Sequence, residues 1–231
     1  MRESSATILF LYWVVVFMPF MAWTSYRRLK AGRTLGPKTE RFQISVALLV
    51  VTALISLEAA SVQSIGISFH PDFIGLLLAV SILIGLIAGI VRGRRRNPAP
   101  ELRERVRLLY APATPSEYGW SVVGGISAGI AEEIAYRAVL YELLARWIGY
   151  GPSLVLCVVL FVLAHLPQGL RGAIGVGALA ILFHIVYVLS GSLLGPILIH
   201  AVYDVALFTI LYREEHKKIL LEPIEQPAGC D

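Results

Sequence analysis

Charged residues are scarce in this sequence, where Asp, Glu, Lys and Arg make up 16% of 231 residues, against about a quarter in soluble domains. Cysteine is rarer still: Cys157 and Cys230 are the two that occur, and they give no basis for a disulfide framework. The sequence also contains no glycine-rich phosphate loop, no HExxH helix and no internal repeat. A disulfide-stabilised domain and a P-loop nucleotide site are therefore excluded, and no local spacing calls for zinc.

Hydrophobic residues dominate instead, at 57% of the chain, and the mean hydropathy is +0.72. A helix needs about 20 apolar residues to cross the roughly 30 Å of hydrocarbon in a bilayer. Apolar runs of about this length lie at residues 7–26, 43–64, 72–91, 118–145, 152–167, 172–190 and 193–212. We therefore predict an all-α, polytopic transmembrane helical bundle of about seven spans.

The positive charge lies between these runs, although a net charge of +4 could also indicate a nucleic-acid partner. Basic clusters occupy Arg27–Arg41 after the first run and Arg92–Arg107 after the third. Lys and Arg concentrate in cytoplasmic loops, where they also contact lipid headgroups. We therefore predict a multi-pass protein of the cell membrane in contact with the lipid bilayer, with its N-terminus outside, a cytoplasmic C-terminus and no nucleic-acid partner.

The first run is predicted to be a retained span, because its basic cluster follows the apolar core, whereas a signal peptide has its charge before it. Pro98 and Pro100 break the chain between the first three spans and the last four. This predicts accessory N-terminal helices and basic loops in residues 1–117. Core helices are predicted in residues 118–212, and a cytoplasmic tail in residues 213–231.

Several ionisable residues nevertheless fall inside the predicted core spans. A charged side chain at the bilayer centre costs roughly 2.5–3.5 kcal/mol even on insertion scales, so such residues usually face the bundle interior and have a function. His184 is interpreted as an ordinary interhelical hydrogen-bonding residue. The stronger candidates are Glu132, Glu133, Arg137, His165, His200 and Asp204.

Helix geometry separates the two adjacent glutamates. At about 100° per residue, one stripe of the fourth span carries Gly125, Gly129, Glu132 and Tyr136. The two glycines allow a neighbouring helix to approach, so Glu132 is predicted to face the bundle interior. Glu133 and Arg137 lie to the side, four residues apart, and are predicted to form a supporting ion pair.

Two further pairs lie one turn apart on other spans, Phe161 with His165 and His200 with Asp204. A buried carboxylate beside two imidazoles suits hydrolysis, with Glu132 as the general base that activates a water. The histidines would then orient the water, stabilise an oxyanion or hold a metal. A zinc site formed by Glu132, His165 and His200 stays open as an alternative to a cofactor-free site.

Three short motifs occur in the same order on three predicted spans: "EEIAYR" at 132–137, "FVLAH" at 161–165 and "HAVYD" at 200–204. They resemble the EExxxR, FxxxH and HxxxN/D motifs of the CPBP family, the CAAX-protease and bacteriocin-processing membrane proteins. That family includes the Abi group and the type II CAAX prenyl proteases. The resemblance covers about Tyr118–Phe208 and does not extend to the first hundred residues.

This resemblance implies an intramembrane endopeptidase that cleaves a membrane protein or a lipidated, CAAX-like peptide. Glu132 would activate the water, Glu133 and Arg137 would support it, and His165 would be a second catalytic group. His200 and Asp204 would form the oxyanion or water-positioning pair. The family has been described both as metalloproteases and as glutamate-dependent enzymes, and we favour the latter. Tyr136 and Phe161 are expected to be supporting residues.

Asp204 departs from the family pattern, because the prenyl proteases have asparagine there. An amide donates a hydrogen bond to an oxyanion and an ionised aspartate does not, which weakens a specific assignment to CAAX processing. Two other classes of protein stay open. One is a non-catalytic immunity or regulatory membrane protein that keeps the family core. The other is a proton-coupled transporter, which would show broken helices or internal repeats at mid-membrane.

Overall fold

The computed structural model describes residues 4–95 and 100–221. Every regular element in these ranges is helical, which confirms the predicted all-α class. The eight helices are α1 Ser5–Lys30, α2 Lys38–Gln63, α3 Phe73–Arg95, α4 Pro100–Tyr110, α5 at residues 115–148, α6 Tyr150–Ala164, α7 Leu170–Ser190 and α8 Leu194–Leu221. A single 3-10 turn, Leu166–Gln168, joins α6 to α7.

Five of these helices are long and apolar enough to cross a membrane: α1, α2, α3, α7 and α8. Their outer faces expose large apolar side chains, such as Phe73 at 79% and Ile84 at 64%. Soluble monomeric proteins rarely expose large apolar surfaces of this kind to water. The chain is therefore a multi-pass membrane protein.

The other two predicted spans, 118–145 and 152–167, correspond to α5 and α6, which fall short of the requirements for a candidate span. Helix α5 is long but polar, since it contains Glu132, Glu133 and Arg137. Helix α6 has 15 residues, fewer than the roughly 20 that cross a bilayer.

Helix α6 ends earlier than predicted because of Pro167. The residue before a proline is disfavoured in the α conformation, so Leu166 cannot continue the helix normally. His165 becomes the C-terminal cap, with φ −101° and ψ 8°. The helix ends three residues before the approximate end of the predicted run at about residues 152–167.

Helix α4 is a correction to the prediction, which treated Arg92–Arg107 as a loop. Pro100 is the first residue of α4, a position where proline is favoured because its fixed φ suits a helix start. The guanidinium of Arg107 donates two hydrogen bonds to the carboxylate of Glu215 on α8, one of them from Nη2 at 2.9 Å. Arg41 of α2 donates to the carbonyl of Leu108 at 3.0 Å. Helix α4 is therefore linked to both α2 and α8 by side-chain hydrogen bonds.

The first residues of the predicted 213–231 tail are also helical, because α8 continues to Leu221. Cys230 and the rest of that tail lie outside the described residues, as do residues 96–99 of the predicted basic loop. Cys157 lies in α6, buried and with a free thiol.

Helix α5 occupies the centre of the bundle, between α2 and α8. It has three consecutive parts, Pro115–Glu133, the π-helical Ile134–Leu140, and Tyr141–Ile148. All seven residues of the π-helical part are buried. Single π-helical turns inside α-helices occur frequently at functional sites, and this one begins directly after Glu133.

Candidate active site

The site lies where α5 and α8 pack closely together, and glycine permits the approach. A Cβ atom at Gly129 would lie 2.8 Å from both Cβ and the backbone nitrogen of Ala201. A Cβ at Gly125 would lie 3.0 Å from Cβ of Asp204. Since real Cβ atoms are not found this close to a backbone, any larger residue would push the helices apart. The predicted close helix contact along the Gly125 and Gly129 stripe is confirmed.

Glu133 makes one contact within α5 and one across to α8. Its Oε2 lies 3.2 Å from Nε of Arg137, and its Oε1 lies 2.8 Å from Nδ1 of His200. The side chain of Glu133 is fully buried. The predicted ion pair with Arg137 is confirmed, but Glu133 also contacts His200 directly, which the sequence did not predict.

The contact with Glu133 orients the ring of His200. Nδ1 of His200 can donate a hydrogen bond to Oε1 of Glu133 in the tautomer that has its proton on Nδ1. A histidine held through one ring nitrogen presents the other in a defined direction, so Nε2 of His200 is directed away from Glu133.

Nε2 of His200 faces two further carboxyl groups. It lies 3.9 Å from Oε2 of Glu132 and 3.7 Å from Oδ2 of Asp204. Oε2 of Glu132 is buried and has no hydrogen-bond partner within the described part of the chain. Polar groups separated by more than about 3.5 Å are commonly bridged by water. A water that bridged these groups would lie to one side of the gaps, because 3.7–3.9 Å is too short to hold a water in line.

Phe161 of α6 packs against the opposite end of the ion pair. Its ring lies 4.8 Å from the guanidinium carbon of Arg137 and meets the ring of Tyr136 edge-on at 4.9 Å. A guanidinium over an aromatic face gains electrostatic energy that increases when the pair is desolvated. Nη2 of Arg137 also donates to the carbonyl of Ala180 on α7, at 3.4 Å. Arg137 is therefore held by α5, α6 and α7 together.

His165 lies on the same helix end as Phe161, and their rings are 4.5 Å apart. Its Nδ1 lies 2.8 Å from the carbonyl oxygen of Phe161. No hydrogen bond or ion pair between His165 and Glu132, Glu133, His200 or Asp204 is present among residues 4–95 and 100–221. The structure thus brings Glu132, Glu133, His200 and Asp204 together. His165 contacts Phe161, which in turn packs against Arg137.

Tyr110 of α4 is a neighbour of the site that the sequence did not indicate. Its ring packs 6.2 Å from that of Phe208, one turn beyond Asp204 on α8. Burial raises the pKa of the Tyr110 phenol, and the nearby carboxyl groups of Asp204 and Glu132 act in the same direction. The phenol therefore keeps its proton and remains a hydrogen-bond donor at neutral pH.

His184 of α7 is buried, at 4% exposed, and its ring meets that of Tyr141 at 4.3 Å. The interhelical hydrogen bond that we predicted for it is not made through Nε2, which has no protein partner in the described ranges.

The residues proposed as zinc ligands are only partly brought together. Nε2 of His200 and Oε2 of Glu132 lie 3.9 Å apart, whereas no hydrogen bond or ion pair joins His165 to either of them in residues 4–95 and 100–221. No group of three or more His, Cys, Asp and Glu residues within 4–95 and 100–221 is arranged to hold a metal.

Comparison with known protein families gives a match over part of the chain. Residues 114–206 match the family model described as type II CAAX prenyl endopeptidase Rce1-like. No curated protein and no solved structure matches the chain significantly. The matched segment contains all three motifs, so the resemblance inferred from the sequence is confirmed for this part of the chain.

Proposed function

We propose, from the premise that residues 114–206 form an Rce1-like type II CAAX prenyl endopeptidase domain, that this chain is an intramembrane endopeptidase. Its substrates would be membrane-associated proteins or peptides, including lipidated, CAAX-like ones. The family match supports hydrolysis of peptide bonds as the reaction. The membrane-spanning helices support a substrate that lies in or at the membrane. The choice among membrane-associated substrates rests on the family description alone.

The observation that carries this proposal is the connected series Arg137, Glu133 and His200, with Glu132 facing its open end. The first contact is 3.2 Å long and the second 2.8 Å. Burying charged groups away from water costs free energy. A buried series of charged side chains is therefore expected to have a structural or functional role. Glu132 lies at the end of the series, and one of its carboxylate oxygens has no partner in the described residues. A carboxylate oxygen of this kind can act as the general base of a hydrolase.

In the proposed reaction, Glu132 accepts a proton from a water held between Glu132, His200 and Asp204. The water oxygen forms a bond to the carbonyl carbon of the substrate, and the carbonyl oxygen takes the negative charge. The tetrahedral intermediate then collapses with cleavage of the C–N bond. Glu132 returns its proton to the leaving nitrogen, so one carboxylate acts first as base and then as acid.

The remaining residues are proposed to position these groups. Glu133 holds the ring of His200 through Nδ1, and Arg137 neutralises Glu133. Asp204 orients the water from one turn further along α8. His165 is proposed as a second catalytic group that meets the substrate, and Phe161 and Tyr136 as supporting residues. Preorganised groups of this kind stabilise developing charge without reorganising during the reaction.

We further propose that α5 and α6 also lie within the membrane, which gives seven spans. Helices α1 to α3 would then be accessory, residues 118–212 the catalytic core, and the chain would run from an outside N-terminus to a cytoplasmic C-terminus. The basic clusters after the first and third spans support this orientation.

The test compares new peptide termini in the membrane proteome of cells that express the wild-type chain, Glu132→Gln or Glu142→Gln at matched protein levels. Glu142 lies on the same helix, ten residues or about 15 Å further along, and serves as a matched control. Wild type and Glu142→Gln should produce termini that Glu132→Gln lacks, because loss of a general base lowers rates by about 10²–10⁴. Identical termini for all three would argue for a non-catalytic membrane protein.

A further inference from the structure

A small cavity lies beside Arg137, separate from the place proposed for the attacking water. Its walls come from α5, α6 and α7 and include Tyr136, Arg137, Cys157, Phe161 and His184. The cavity has a volume of about 10 Å³. A cavity of roughly 10–15 Å³ holds one water molecule, so it is too small for a larger ligand.

Three residues of this wall each carry a buried polar atom without a partner in residues 4–95 and 100–221. These atoms are Oη of Tyr136, Nη1 of Arg137 and Nε2 of His184. The three residues are at most 5% exposed. Buried polar groups are almost always hydrogen-bonded to protein or to ordered water. Because the three residues line the same cavity, a single ligand there would account for all three atoms.

The chemistry of the three atoms matches water. Nη1 of Arg137 can only donate a hydrogen bond, whereas Oη of Tyr136 and Nε2 of His184 can each donate or accept. A water can accept from Arg137 and share its other bonds with the phenol and the imidazole. Buried waters typically make about three hydrogen bonds, and the wall provides three polar atoms.

The packing of Arg137 explains why the protein does not satisfy this nitrogen itself. Nε contacts Glu133 and Nη2 donates to the carbonyl of Ala180. The rings of Phe161 and Phe183 lie 4.8 and 5.8 Å from the guanidinium carbon and offer no acceptor in the plane of the group. Nη1 is therefore left for a small polar molecule.

We propose that this cavity binds one ordered water that hydrogen-bonds to Nη1 of Arg137, Oη of Tyr136 and Nε2 of His184. The water fixes the guanidinium with Nε towards Glu133, so Tyr136 and His184 are positioning residues for the contact between Glu133 and His200. The water site does not depend on the proposed proteolysis. The effect of the water on turnover rests on the proposed function.

The direct test is water-edited solid-state NMR of the full chain in lipid bilayers, with ¹⁵N-labelled histidine. Magnetisation from water should reach the ring nitrogens of His184, although this residue is buried. The His184 signal is identified as the one that is missing from the spectrum of His184→Gln. His70 is exposed and is the positive control. A resolved His184 signal that receives no magnetisation while His70 does would overturn the proposal.

Cys157 provides a matched pair of variants that locates the water. Cys157→Ser keeps the cavity and should keep the transfer, while Cys157→Met fills the cavity and should abolish it. Transfer that persists in a folded Cys157→Met chain would place the water elsewhere and overturn the site. If that variant does not fold, the wild-type comparison of His184 with His70 decides the question.

A separate measurement tests the positioning role. In the cleavage assay, His184→Leu should lower turnover about tenfold at unchanged KM, and His184→Gln, which retains a hydrogen-bonding atom, should lose much less. Equal turnover in the two variants would refute the positioning role. Absence of cleavage by the wild-type chain would count against the proposed function instead and would leave the NMR result standing.

Discussion

Replacement of Gly129 by alanine tests whether the approach of α5 to α8 holds the site together. The added Cβ would lie 2.8 Å from the backbone nitrogen of Ala201, whereas ordinary contact begins at 3.4 Å. The helices would have to separate locally by about 0.6 Å, the difference between these distances. A backbone atom cannot swing aside as a side chain can, so the shift must move the helix.

This shift would fall next to the hydrogen bond between Glu133 and His200, because Ala201 follows His200 and Glu133 lies one turn after Gly129. If the bond absorbs the whole movement, its length rises from 2.8 Å to about 3.4 Å, beyond the usual 2.7–3.2 Å. Overpacking costs about 1–3 kcal/mol. Each kcal/mol lowers the Tm of a protein of this size by about 2–4 °C.

Gly129→Ala should therefore lower both Tm, measured by thermal unfolding in detergent, and the yield of new peptide termini, the latter by about tenfold to a hundredfold. Gly119→Ala is the control, since it lies on the same helix and nothing lies within 4 Å of its Cβ. Ala201→Gly added to Gly129→Ala should rescue little, because the backbone nitrogen remains in place. Wild-type Tm and activity in Gly129→Ala would refute this account of the helix contact.

Three other outcomes follow from the charged contacts. Glu133→Gln should lower Tm relative to Glu142→Gln, because removing one partner of a buried pair costs about 3–5 kcal/mol; equal Tm values would contradict the buried pair. Asp204→Asn should retain cleavage, since an amide still orients a water, and Asp204→Ala should lose most of it; a fully active Asp204→Ala would remove this residue from the site. Cleavage by membranes treated with a chelator should continue at the same rate, whereas loss that added zinc restores would revive the zinc alternative.

Local features of this fold could be predicted from the sequence, because they depend on neighbouring residues. Apolar runs gave the positions of the long helices, and glycine spacing on α5 gave the face that α8 approaches. The ion pair between Glu133 and Arg137 followed from a separation of four residues. Helix α4 was missed because its charges suggested a loop, although Pro100 is a typical first residue of a helix.

The contact between Glu133 and His200 could not be predicted from the sequence. These residues are 67 positions apart, and their meeting depends on how α5 and α8 pack. The π-helical part of α5 also changes which residues share a face, so a uniform 100° per residue does not hold after Glu133. A sequence pattern gives residue types and local spacing, but it contains no direct measure of either effect.

The division of the site between α5 and α8 has a consequence for biosynthesis. Ribosomes extend a chain by about 5–20 residues per second, so the 67 residues from Ile134 to His200 take about 3–13 s to make. During that interval the growing chain contains Glu132 and Glu133 but no imidazole from α8. The proposed catalytic group is therefore complete only after α8 has been made, so a partly synthesised chain is expected to lack the proposed activity.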